Sequence, residues 1–467
     1  MQIPKVNNSI GHILTLGFLV IGFSLGGCDS TPKYPENLPS LKKTDLSTNL
    51  LDDQGVAMQN VTKGVDFAAQ GKFNEAKVEF EKALKVDPYN DLAKTSIIVI
   101  EDLNDKTIES KTAILWFKGS ANHIEGLWDN AIAEYSKVIE MNPKLAGAYN
   151  SRGFVYDEKG QHDDAIADFT KAIELSRDNA EPYYNRGTAY YEKDQHDDAI
   201  ADFTKAIELN PKLTDAYNNR GLAYDKKGQH DKAIADYSMA IETNPMDVKA
   251  YFNRGNTYHI KGHYDQAISD FNKAVEINPM DVKVYFNRGN TYFIKGDKDQ
   301  AVSDYSKAIE IDPDNGMAYY NRGSVYDHKG DYDQAISDYS KAIELNPRLA
   351  VAYNDRGNAY DAKGQRDKAI ADYGRAIEID PRYVDAYYNR GIVFSGKGDY
   401  DQAISDYSKV IELNPNFAVA YNNRAVSYYF KKEYDKVWED VHKAQTLGYQ
   451  VHPGFLKALR EASGRKK

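Results

Sequence analysis

The chain has 467 residues, 10 His and a formal net charge of −11. This acidic balance argues against a protein built to grip a phosphate backbone, which needs a basic patch and a basic excess. A lone Cys excludes an internal disulfide and a cysteine-based zinc site.

The first predicted element is an N-terminal signal over residues 1–27. Lys5 gives a weak positive start, and Ile13 to Leu25 form an apolar run. That length suits a signal-peptide core and is short for a membrane-spanning helix. Leu25-Gly26-Gly27-Cys28 then resembles the bacterial lipobox. The resemblance implies cleavage after Gly27 and lipidation of Cys28. It also implies a mature chain held by lipid on the periplasmic or external side of a bacterial cell envelope. Residues 28–56 hold three Pro and little apolar periodicity, so they read as a disordered tether.

A helical hairpin is expected next, at 57–90, marked by Gly64, Phe67, Gly71, Phe73, Ala76, Phe80, Ala83 and Pro88. Residues 91–111 break the register, and the stretch SIIVIEDL predicts an inserted helix. From 112 to 451 a 34-residue frame runs through ten units without insertion or deletion. Arg recurs on it at 152, 186, 220, 254, 288, 322, 356, 390 and 424. Such a period takes precedence over a domain count based on length. Residues 452–467 read as one more amphipathic helix, a cap that turns Phe455, Leu456 and Leu459 towards the array.

The unit 214–247 shows how the frame makes two helices. Ala216, Tyr217, Gly221 and Tyr224 fall three or four apart and form one helical stripe. Gly228 ends that helix, as a left-handed C-terminal residue does. Ala233, Tyr237 and Ala240 form the inner stripe of a second helix, which Asn244-Pro245 closes. Together Gly221, Tyr224, Ala233, Tyr237, Ala240 and Pro245 resemble the tetratricopeptide repeat, and the spacing recurs over 57–90 and 112–451. The resemblance implies an all-α fold: a right-handed superhelical solenoid of hairpins whose concave face binds a protein or an extended peptide. Four features depart from the family pattern. Arg177 replaces the closing Pro, Ala425 replaces the Gly, and Arg220 and its equivalents stand where Leu is frequent. Asn122 stands where Tyr or Phe is usual, which predicts looser packing in the unit from 112.

Each member of the recurring Asn-Arg-Gly triplet is expected to do a different job. Gly221 lets the two helices of a hairpin touch. Arg220 needs a counter-charge, because an unpaired charge at a packed position is costly. The expected partner is Asp236, sixteen residues on, or the Asp of an adjacent unit. Asn219 and its equivalents Asn185, Asn253, Asn287, Asn321 and Asn389 form a row of amides that both donate and accept. On the family pattern this row lines the groove. It either holds a peptide by its backbone or bonds only to neighbouring repeats. Phe252, His259, Phe286 and Phe293, with Lys249 and Lys283 at the helix starts, predict an apolar, partly basic central patch in an acidic groove. Such anchors make binding hot spots. The alternative is that the aromatics pad the seam between repeats.

No Gly-rich phosphate loop or nucleophile elbow occurs. His162, His196 and His230 sit 34 apart, but layers ~8–10 Å apart do not bring three rings onto one metal with bonds of ~2.0–2.1 Å. No enzymatic activity, metal or cofactor is expected. The chain reads as a membrane-anchored protein-binding scaffold in envelope assembly. The alternatives are an accessory subunit of an envelope enzyme, such as a peptidoglycan hydrolase, and a structural homo-oligomer.

Overall fold

The computed structural model describes residues 53–87 and 90–464. The expected signal peptide, Cys28 and nearly all of the expected tether lie outside the described residues. Among the described residues there are helices and no strand. None of those helices is long and apolar enough to cross a membrane.

The chain divides into two compact units, the first ending at Glu101. This unit comprises α1 (Asp53–Ala69), α2 (Phe73–Val86) and most of α3 (Asp91–Asn104). The Phe80 ring lies against Gly64, where an added Cβ would come within 2.5 Å of it. Ala57, Val61, Val65, Ala76 and Ala83 fill the rest of the interface. Lys77 pairs with Glu101 at 3.3 Å and ties α2 to α3, the helix formed by the segment predicted as an insertion.

The second unit is a run of ten hairpins. The first three are α4 (Ser110–Ile124) with α5 (Trp128–Met141), α6 (Ala146–Glu158) with α7 (His162–Leu175), and α8 (Ala180–Glu192) with α9 (His196–Leu209). Next come α10 (Thr214–Lys226) with α11 (His230–Thr243), α12 (Val248–Ile260) with α13 (Tyr264–Ile277), and α14 (Val282–Lys295) with α15 (Lys298–Ile311). Then follow α16 (Gly316–Lys329) with α17 (Tyr332–Leu345), and α18 (Ala350–Ala362) with α19 (Arg366–Ile379). The last are α20 (Val384–Lys397) with α21 (Tyr400–Leu413), and α22 (Ala418–Phe430) with α23 (Tyr434–Thr446), followed by α24 (Pro453–Ser463).

The turn inside each hairpin needs a left-handed residue. Gly228 supplies it with φ 70°, while Asp194 and Lys432 adopt the same conformation at 57° and 62° without being glycine. A side chain there is strained, because its Cβ crowds the following carbonyl. Inside the hairpin, the triplet glycine receives an aromatic ring from the second helix. A Cβ on Gly221 would lie 2.6 Å from the Tyr237 ring. The last hairpin solves the same problem differently: Ala425 replaces the glycine, and both Ala425 and Val441 are fully buried, Val441 standing where the other hairpins carry a ring. The looser packing expected around Asn122 is not found. Trp116 and Phe117 are at most 1 % exposed, and Gly119 receives Tyr135 as in the other hairpins.

Within this unit, first helices of successive hairpins pack against one another, and no pair of second helices approaches as closely. The first helices therefore lie on the inner side of the bend. The run ends where α24 covers Trp438 and Val441 with Phe455, Leu456 and the buried Leu459.

Candidate protein-binding face

Arg220 shows how the repeats are joined. Its Nε and Nη2 donate to the two carboxylate oxygens of Asp236 at 2.8 and 2.7 Å, and Nη1 donates to Thr204 Oγ1 of the preceding hairpin at 3.0 Å. The guanidinium lies over the Tyr217 ring at 5.8 Å. One planar cation thus closes its own hairpin and grips the previous one, a use that Lys, with no planar fork, cannot reproduce. The fork recurs at Arg152, Arg186, Arg254, Arg288, Arg322, Arg356, Arg390 and Arg424, each time with the Asp of its own hairpin. Of the two partners expected from the sequence, the intra-unit one is realised. At Arg390 the hydroxyl is missing because Gly374 occupies that position. The hydrogen bonds to Asp168 raise the Arg152 guanidinium above its ordinary value.

A second ion-pair series was not foreseen. Lys227, at the C-terminus of α10, reaches Asp197 in the first turn of α9, and Lys193–Asp163, Lys261–Asp231, Lys363–Asp333 and Lys431–Asp401 repeat the contact. Lys159–Asp129, Lys329–Asp299 and Lys397–Asp367 do so at 2.6, 2.7 and 2.5 Å. Each rung sets a cation at a helix C-terminus and an anion at a helix N-terminus, both favoured by the dipoles. The constant spacing of thirty residues was the available signal. His162 and His230, considered above as a metal ladder, contact Asp157 and Asp225 instead at 2.7 and 2.9 Å. Among the described residues no group of three His, Cys, Asp or Glu could hold a metal.

The asparagine row divides in two. Asn185 donates to Asn150 Oδ1 at 3.1 Å, Asn219 to Tyr184 Oη at 3.1 Å, and Asn321 to Asn290 Oδ1 at 3.0 Å. Asn389 donates to Asn354 and Asn358, both at 3.1 Å. In these four the amide bonds to a neighbouring repeat, and Asn185 and Asn321 are buried. Asn253 and Asn287 make no such bond and stay half-buried. Part of the split is visible one hairpin back. The residue thirty-five positions earlier is Asn or Tyr for Asn185, Asn219 and Asn389, whereas Asn287 looks back on Phe252, which has no polar group; Asn253 looks back on Asn218 and still makes no bond to it. Asn321, which looks back on Phe286, turns instead to Asn290.

The residues of the expected central patch do not share one environment. Lys249 and Lys283 are exposed at the starts of α12 and α14. Phe252 is half-buried against Phe271 with ring centroids 6.2 Å apart, and Phe286 meets Tyr305 at 5.9 Å. Phe293 is half-buried and meets His328 edge-to-face at 5.2 Å. His259 is only 6 % exposed, with Nδ1 2.8 Å from Thr291 Oγ1 of the next hairpin. Burial pushes its imidazole down to about 4. It is a seam residue here, buried against the next hairpin and bonded to Thr291. Ile260 and Ile294, in contrast, are 44 % and 37 % exposed, large for apolar side chains.

Sequence models of the TPR repeat match residues 119–160, 155–194, 255–296 and 357–398. Tetratricopeptide repeat models match 67–90, 180–213, 214–247, 237–269, 282–315, 317–349 and 384–417. The chain belongs to the tetratricopeptide repeat family of protein-interaction scaffolds. It is 32 % identical over 108 residues to human tetratricopeptide repeat protein 6, covering 21 % of each chain, so it spans about a fifth of that curated relative's length. Among solved structures, MamA is 36 % identical with a TM-score of 0.33, covering 34 % of this chain and 94 % of that one. YrrB, described as a TPR protein with an unusual peptide-binding site, is 29 % identical with a TM-score of 0.36, covering 40 % and 97 %.

Proposed function

We propose that this chain is a lipid-anchored adaptor of a bacterial cell envelope, binding a protein or extended peptide on the inner face of its first helices. One observation supports this reading above the others. Most ion pairs in the array tie repeats or helices together, yet on α12 and α14 the side chains of Lys249, Lys283, Asn253 and Asn287 form no ion pair or amide bond to a neighbouring repeat among the described residues. Lys249, Phe252, Asn253, Asn256 and Ile260 recur three, four and seven residues apart on one helical face. Lys283, Phe286, Asn287, Asn290 and Ile294 repeat the stripe one hairpin on. The anchorage is supported by Leu25-Gly26-Gly27-Cys28.

The test is crosslinking and capture from native membranes, comparing the natural protein with a Phe252→Ala/Phe286→Ala variant. A partner lost from the variant supports the reading. Recovery of the same partner by both sinks it. An envelope enzyme among the captured proteins would make this chain its accessory subunit. Anchorage is tested separately: Cys28→Ser should leave the signal peptide attached and the chain without lipid, both read by mass, and a mass that differs from the natural protein's by the Cys-to-Ser exchange alone would overturn it.

A further inference from the structure

The stripe on α12 and α14 coincides with a local shortage of hydrogen-bond partners. Asn218 is 3 % exposed, and its Nδ2 donates to Asp247 at 2.6 Å, but its Oδ1 is buried with no partner. The equivalent oxygens of Asn150 and Asn354 accept from Asn185 and Asn389, so Asn253 is the group that fails to arrive. The buried Oδ1 of Asn256 is also without a partner. Its equivalent in Asn290 accepts from Tyr305 Oη at 2.6 Å and from Asn321, and that in Asn358 accepts from Tyr373 Oη at 2.8 Å and from Asn389. Asn256 has Phe271 in place of that tyrosine, and the hydroxyl is lost. Two uncommitted amides, Asn253 and Asn287, thus lie beside two unanswered acceptors on consecutive hairpins. Buried polar groups in native proteins almost always find a partner, so these two oxygens mark where the amide network between repeats is interrupted and leaves Asn253 and Asn287 uncommitted.

The charges select what that partner carries. Among the described residues neither Lys249 nor Lys283 forms a side-chain ion pair, in an array where nine lysines form the rungs described above or their equivalent at Lys295–Asp265. The same helical position holds Glu181 and Asp215 in the two preceding hairpins, and Asp385 three hairpins after Lys283. Exposed cations therefore hold this position across two repeats, with acids in the two repeats before them and the apolar Met317 and Val351 in the two after.

The geometry points to an extended segment of a partner protein, bearing two acidic side chains among apolar ones, as the ligand of α12 and α14. This rests on the scaffold reading above and narrows it. Backbone C=O and N–H groups of the segment answer the half-buried Asn253 and Asn287 amides. Its carboxylates meet Lys249 and Lys283, and its apolar side chains cover Ile260 and Ile294. Packed helices lie about 10 Å apart and an extended chain advances about 3.3–3.6 Å per residue, so the two acids should stand about three residues apart. An acid beyond the Lys249 end of that window would meet Asp215.

The experiment uses the full-length protein in detergent and three matched pools of twelve-residue fluorescent peptides. All contain Leu and Ala, and they differ in carrying an Asp-x-x-Asp, Lys-x-x-Lys or Ser-x-x-Ser pair. The Asp pool should bind at least tenfold more tightly than the Ser pool, and the Lys pool should not bind. Lys249→Glu/Lys283→Glu should abolish that preference. Asn253→Ala/Asn287→Ala, or N-methylation of the peptide backbone, should weaken binding about tenfold. Asn219→Ala/Asn389→Ala, whose amides are held by neighbouring repeats, should stay within twofold. Equal binding of the Ser or Lys pool overturns the inference, as does an Asn253→Ala/Asn287→Ala variant within twofold of the natural protein. If no pool binds while membrane capture still depends on Phe252 and Phe286, this inference falls and the scaffold reading stands. If capture is also independent of them, both fall.

Discussion

Helix α10 carries two ion pairs to neighbouring helices, seven residues apart, and they differ in almost everything but charge. Arg220 and its partner Asp236 are 16 % and 8 % exposed at the side chain, whereas Lys227 and Asp197 are 27 % and 86 % exposed. The first pair is bidentate, flanked by an aromatic ring, and shares its guanidinium with a hydroxyl of the previous hairpin. The second joins two exposed helix ends through one flexible ammonium. Desolvation separates them. Removing one member of a buried pair strands a charge away from water, while removing one member of an exposed pair leaves a hydrated ion. The seam between repeats is therefore specified from inside, and the outer ladder is an accompaniment to it.

The largest expected effect tests that seam. Arg220→Gln or Asp236→Asn alone should destabilise the array by about 2–4 kcal/mol, and the double variant should cost clearly less than the sum, as a double-mutant cycle in urea would report. Additive losses would break the contrast between the two pairs. A second test uses His259, which is buried against Thr291 of the next hairpin. Its folded value of about 4 lies below the ordinary imidazole value, so the unfolded chain takes up the proton first as pH falls. The stability tied to the neutral ring is complete above about pH 6.5 and is lost as pH falls towards 4, by about 2 kcal/mol. His259→Phe, which copies Phe293 one repeat later, should flatten that slope in unfolding curves taken at pH 7.5 and pH 5.

Asp355 shifts in the opposite direction. Tyr320 Oη donates to it at 2.7 Å, yet burial raises its carboxyl to about 6. Here the folded protein takes up the proton first, so the charged form weakens the fold at neutral pH and the penalty fades as pH falls below 6. Asp355→Asn, which restores the residue found in most other repeats, should stabilise the protein by about 1 kcal/mol at pH 7, with the gain shrinking towards pH 4. The smallest effect belongs to the ladder. Lys227→Gln should change stability by ~0–1 kcal/mol and by nothing measurable in 1 M salt, where charges are screened beyond ~3 Å. A larger loss that survives salt would sharpen the comparison by showing that the edge also specifies register.

Features with a constant spacing could be read from the chain alone. The hairpins, the Gly221–Tyr237 contact and the Arg220–Asp236 interval all repeat with the frame, so sequence distance stands in for spatial distance. The Lys227–Asp197 rungs were equally periodic and would have been found by scanning for charges thirty apart. The asparagine row was harder to read. Whether Asn219 is committed or Asn287 is not depends on a residue thirty-five positions earlier on another helix, Tyr184 in one case and Phe252 in the other. His259 was misleading for a related reason. Its position carries Asp225 in one neighbouring hairpin and Phe293 in the other, and only the packing against Thr291 turns it into the seam.

The fixed intervals of the ion pairs also make the array divisible. Excising residues 316–349 would bring Arg356 to Ser306 in place of Ser340, and Lys363 to Asp299 in place of Asp333, each exchange preserving the chemical type. The ion pairs would survive the loss of that unit, whereas Asp355 would lose the Tyr320 hydroxyl and face Phe286 instead. Array length can then change in steps of one hairpin while the chemistry of the seam stays in place.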